Sequence, residues 1–159
     1  MDISGFTVFK VLIVSVGTVL LVHAEELKSL PTKTSHDNVA SIEGTWKNDQ
    51  GSILELEASD GLITGKYLPG VGNAVGHYDV IGKYMSAGPK NDKLIVSWVV
   101  SWHNDADGNS ESSTTWNGIY YPEEGVMYTK YLIVSFQDRA NYWKSTLSGS
   151  DEFRLFVEK

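Results

Sequence analysis

The 159-residue chain contains no cysteine. Disulfides, thiolate metal sites and cysteine nucleophiles are thereby excluded. It also lacks an excess of positive charge: its net charge is -7, which argues against nucleic acid or an anionic membrane as a main partner. No Asn-x-Ser/Thr acceptor occurs, so no N-glycan is expected. His77 and His103 stand alone without ligand-spaced partners, and no metal site is expected. Gly70-Val71-Gly72 is followed by neither Lys-Ser/Thr nor a helical pattern, so it is no phosphate loop; a lid at a binding-site mouth suits it better.

The chain is rich in Gly, Tyr, Trp, Thr and Ser, a composition that favours β structure with tight turns. Its length suffices for one domain with a sizeable core. Residues 1–24 read as a cleavable signal peptide: Lys10 precedes the apolar run Val11 to Val22, and Val22-His23-Ala24 offers a small-residue cleavage site. The run is shorter than the roughly 20 apolar residues that span a bilayer, so a secreted chain is expected rather than a membrane-anchored one. Residues 25–40 mix charge, Pro31, Ser and Thr without apolar periodicity and read as a flexible leader. The folded domain is expected over 41–159.

From Ser41 onward the apolar pattern has period two. Strands are expected at 43–49, 52–58, 62–68, 77–85, 93–103, 111–121, 126–136 and 150–158. Turn chemistry separates them: Asp49-Gln50-Gly51, Ser59-Asp60-Gly61, Ala87-Gly88-Pro89, Asp107-Gly108-Asn109 and Pro122-Glu123-Glu124-Gly125. Two connections are longer: Pro69 to Gly76, and Gln137 to Gly149, where a short helical turn around Trp143 is expected. This is the pattern of an all-β, eight-stranded antiparallel up-and-down barrel.

In such a barrel Asn48, Ser52, Tyr67, Trp102, Ser112, Thr114, Ser135 and Asp151 fall at one rim. Parity places Trp98, Val100 and Trp102 on one face, and likewise Ser112, Thr114 and Trp116; Tyr131, Ile133 and Ser135; and Asp151, Phe153, Leu155 and Val157. The inside is thus an aromatic cup with hydroxyl, amide and carboxylate groups toward one opening, a design suited to one small ligand. Trp46 and Trp98 read as core. Leu132, Val134 and Phe136 face outward and imply a subunit interface.

Gly44-Thr45-Trp46-Lys47-Asn48-Asp49-Gln50-Gly51-Ser52, Thr64-Gly65-Lys66-Tyr67, Val71-Gly72-Asn73-Ala74, Ser112 to Gly118 and Asn141 through Asp151 together resemble the avidin and streptavidin family, more closely its streptavidin-like branch. The resemblance implies a protein that binds biotin without a covalent bond or cofactor, and that assembles as a tetramer, or else a dimer. It implies that Asn48, Ser52 and Tyr67 donate to the ureido oxygen and Asp151 accepts from one ureido N–H. Thr114 would lie by the thioether sulfur. Ser112 and the backbone N–H of Asn73 would hold the carboxylate. Trp102, Trp116 and Tyr131 would wall the ring, with Val71, Ile133 and Leu147 completing the set. Trp143 would cross to a neighbouring subunit's site. Two departures stand out: Pro69 replaces the usual Ser or Thr that accepts from the second ureido N–H, and Tyr131 replaces the usual Trp.

Two other functions compete. A lipocalin-like carrier suits Gly44-x-Trp46, but the chain has no cysteine and ends on an expected strand instead of a C-terminal helix. An oligomerising structural module with a degraded pocket would account for Pro69 but not for the other polar groups. No inward nucleophile has a histidine partner, so no enzyme is expected.

Overall fold

The computed structural model describes residues 41–90, 92–104 and 109–157. The expected signal peptide and leader, together with Asp105 and Asp107, lie outside these residues. The period-two segments form eight strands, β1 (Gly44–Asn48), β2 (Ile53–Ser59), β3 (Leu62–Leu68), β4 (Tyr78–Ala87), β5 (Lys93–Ser101), β6 (Ser112–Tyr121), β7 (Val126–Ser135) and β8 (Thr146–Leu155). Each pairs antiparallel with the next, and β1 closes the barrel on β8 through Trp46↔Leu155, Lys47↔Arg154 and Asn48↔Phe153. Closure leaves no sheet edge unpaired.

Seven strands lie within two residues of their expected bounds; the eighth does not. It starts at Thr146 instead of 150, immediately after a 3₁₀ turn at Arg139–Lys144. The early start was hidden because Thr146, Leu147 and Ser148 are all exposed, so this stretch shows no alternation to read. Its backbone nevertheless pairs fully with β7, Thr146 opposite Val134 and Leu147 opposite Ile133. Asp151 is therefore no strand opener at the rim. It sits deeper, opposite Thr129.

Parity holds elsewhere. Trp46 is fully buried, its indole donates to the Ile42 carbonyl at 2.9 Å, and Tyr120 meets it edge-on, plugging the floor. Trp98 stacks on Trp116 at 5.8 Å with Phe153 against its edge. The inward row of β8 ends at Phe153: Leu155 is half exposed at the plugged end, and Val157 lies beyond the strand and is exposed. The strands approach closely where glycine allows it. A Cβ on Gly65 would lie 1.8 Å from the Glu55 carbonyl oxygen, and one on Gly82 would lie 2.1 Å from that of Ser97. Outside, Leu132, Val134 and Phe136 are exposed, and so are Ile81 and Met85 on β4 and Ile95 on β5.

Candidate functional site

The open end of the barrel holds a cavity of about 230 Å³. Its lining gathers Ser52, Tyr67, Val71, Asn73, Trp102, Ser112, Thr114, Trp116, Tyr131, Ile133 and Asp151, residues named from the sequence and contributed by segments from β2 to β8. A larger, shallower groove of about 600 Å³ runs outside the mouth past Phe136 and Tyr142. The smaller space is the candidate site, because buried polar groups converge on it.

Central among these is the buried carboxylate of Asp151. Its Oδ2 accepts from the Trp116 indole at 2.9 Å and its Oδ1 from Asn48 Nδ2 at 3.2 Å. The Thr129 hydroxyl donates to its backbone carbonyl at 3.0 Å, anchoring the strand beneath. The carboxylate is thus aimed by two donors and keeps lone pairs for a third. Asn48 does not line the cavity. Its Oδ1 accepts from the Ser52 backbone N–H at 2.9 Å, which orients the carboxamide so that its nitrogen faces Asp151.

Beside this pair stand Ser52 and Tyr67. The Ser52 hydroxyl accepts from the Gly70 N–H at 3.0 Å and is hydrogen-bonded to the Tyr67 phenol. Such a chain of donors polarises its members, and the phenol is its end facing the cavity. Burial pushes the Tyr67 hydroxyl well above its ordinary pKa of about 10, with the Ser52 hydrogen bond pulling the other way and the Asp151 charge adding to the rise. Tyr67 therefore stays a donor throughout the neutral range.

A stability consequence follows. Below pH 10 the phenol is protonated in both folded and unfolded chains. Above it the unfolded chain ionises and the folded one does not, so stability falls with rising pH, by about 1.4 kcal/mol per pH unit from this group. Tyr67→Phe is expected to fall less steeply between pH 9 and 12 than the unmodified protein, as read by melting temperature; identical slopes would refute it.

The walls are aromatic. Trp102 meets Tyr67 and Tyr78 edge-on, at 5.4 and 5.1 Å, and Tyr67 stacks on Trp116 at 5.2 Å. The Trp102 indole donates to Thr114 Oγ1 at 2.7 Å, which fixes the ring and leaves the threonine proton to point elsewhere. Tyr131 stands 6.5 Å from Trp116, and a methyl at Gly149 would come within 2.4 Å of its hydroxyl. The phenol therefore lies flat along β8 in the space that glycine leaves. At the mouth, Ser112 is within 2.7 Å of Ser110, hydroxyl to hydroxyl.

Three sequence-named residues do not line the cavity: Asn48, Leu147, and Trp143, which is expected to serve a neighbouring subunit's site. Trp143 is 80% exposed and Leu147 60% exposed, although Leu147 shares the inward parity of Asp151 and pairs with Ile133. Conversely, Gln50, Ala74 and Ser110 line the cavity without having been named as candidates, Gly72 does so within the stretch expected as a lid, and Pro69 stands in the wall. Ser110 precedes β6, where no strand parity exists to assign it a face. Among the described residues no group of histidines and carboxylates is arranged to hold a metal.

A model of the Avidin family matches residues 36–155.

Proposed function

The chain belongs to the avidin family, and from that premise we propose that it binds biotin non-covalently in the barrel cavity and acts by retaining it. The observation that carries this reading is the buried Asp151 carboxylate, held by Trp116 and Asn48 beside the Ser52–Tyr67 hydroxyl pair. An anionic acceptor next to neutral donors matches a cyclic urea, which offers one carbonyl oxygen flanked by N–H groups. The carbonyl lies toward Ser52 and Tyr67, and one N–H donates to Asp151 in a charge-assisted bond. Trp102, Trp116 and Tyr131 enclose the ring, and Thr114 lies by the sulfur. Ser112, with Ser110 and the backbone of Asn73, receives the carboxylate at the mouth. No reaction is involved, and slow dissociation is the function.

We further propose secretion, supported by the apolar run at 11–22, and assembly. Leu132, Val134 and Phe136 give the barrel an apolar outer face, and a tetramer covers it best. In that assembly the exposed Trp143 closes a neighbouring subunit's site.

The test is a biotin titration followed by intrinsic tryptophan fluorescence, with sedimentation on the same sample. Binding below micromolar with a rise in melting temperature is expected. No response at millimolar biotin would discard the reading and leave a carrier of another ligand or a structural module.

A further inference from the structure

The loop between β3 and β4, Pro69 to His77, forms one side of the cavity through Pro69, Val71, Gly72, Asn73 and Ala74. Little apolar burial holds it there. Val71 and Val75 are 57% and 63% exposed, and only Ala74 packs on the core. Hydrogen bonds must supply the restraint, and they come from side chains. At the entry, the Gly70 N–H donates to Ser52 Oγ at 3.0 Å. At the exit, Val75 is gripped on both polar groups. Its N–H donates to the Tyr78 hydroxyl at 3.0 Å, and its carbonyl accepts from Asn104 Nδ2 at 2.6 Å.

These two grips have different footings. Tyr78 belongs to β4, is 1% exposed, and rests edge-on against Trp102, so its hydroxyl is set by the cavity wall. Asn104 comes from the other direction, two residues after Trp102 on the segment leaving β5. Gly76 makes room for it: a Cβ there would lie 3.3 Å from Asn104 Nδ2, and the backbone has φ +83°. Asn104 does not line the cavity, so its effect on a ligand passes through the loop.

We propose that Asn104 is a positioning residue that clamps the β3–β4 loop over the cavity before any ligand arrives, with Tyr78 as the second jaw. Resting on the biotin reading for its functional consequence, the clamp gates traffic in both directions. A ligand enters and leaves only when the Val75 grip opens, so the clamp slows association as well as dissociation.

The experiment pairs ligand-free amide hydrogen exchange with stopped-flow association and dissociation of biotin, for Asn104→Ala and Tyr78→Phe. In Asn104→Ala the Val75 amide is expected to exchange faster without ligand. Association and dissociation rates are both expected to rise about three- to tenfold, the worth of one net hydrogen bond, with Kd changing less than either. Tyr78→Phe should raise the same amide's exchange, and it carries the test if the first variant fails to fold. Unchanged Val75 exchange in the ligand-free variants overturns the clamp. So does a faster dissociation with association unaltered, which would place Asn104 in direct support of the bound state. If the unmodified protein binds no biotin, the functional reading fails, while the exchange measurement still decides the clamp.

Discussion

Asp151→Asn is expected to weaken biotin binding by about ten- to a hundredfold and to lower the melting temperature of the unliganded protein. The two effects share a cause. Both carboxylate oxygens already accept, one from Asn48 at 3.2 Å and the other from Trp116 at 2.9 Å. Asparagine offers one oxygen and one NH₂, so whichever way it turns, a donor faces a donor. An unsatisfied buried donor costs about 1–3 kcal/mol. Loss of the charge-assisted bond to the ligand's N–H removes about 1.5–3 kcal/mol more. The first cost is present with and without ligand and falls on stability, whereas the second falls on affinity, where about 1.4 kcal/mol makes one decade. Titration and thermal unfolding separate the contributions. A lower melting temperature with affinity within tenfold of the unmodified protein would mean that Asp151 only braces the barrel, and the proposed pose would be wrong.

Pro69→Ser is expected to act in the opposite sense on binding, slowing biotin release by about ten- to a hundredfold. Around the barrel the polar groups run from Asp151 on β8, past Ser52 at the start of β2, to Tyr67 on β3. A urea whose carbonyl faces Ser52 and Tyr67, with one N–H on Asp151, turns its other N–H past β3 toward position 69. Proline presents no side-chain acceptor there, and an unpaired N–H costs about 1–3 kcal/mol. The backbone at this point is well fixed. Gly70 donates to Ser52, and a Cβ on it would come within 2.4 Å of the Gln50 carbonyl oxygen. A serine hydroxyl at 69 would thus be delivered to the cavity. The same change should reduce stability by about 0.4–1 kcal/mol, because proline restrains the unfolded chain. A dissociation rate that stays the same or increases would refute this role for Pro69.

Much of this was legible beforehand because alternation is a local signal. Trp98, Val100 and Trp102 reveal a buried face without reference to any other strand, and Gly-containing turns mark where the chain reverses. The cavity residues on regular strands follow from parity alone. Legibility ended where alternation did. Thr146 to Ser148 pair with β7 at the rim while both faces meet solvent, so the strand began unseen and Asp151 was placed too near the mouth. Asn48 has the right parity yet spends its carboxamide on Ser52 and Asp151 rather than on the cavity wall, a choice made by partners far apart in sequence. Ser110, Tyr78 and Asn104 owe their roles to where loops settle, which no period encodes.

The contact between Tyr131 and Gly149 makes the two positions interdependent in size. As long as the Tyr131 phenol lies across β8 at that point, a Cβ at 149 would come within 2.4 Å of its hydroxyl. A larger residue at 149 would therefore oblige the ring at 131 to turn out of its place against β8. Glycine there is the vacancy in which the Tyr131 phenol is seated.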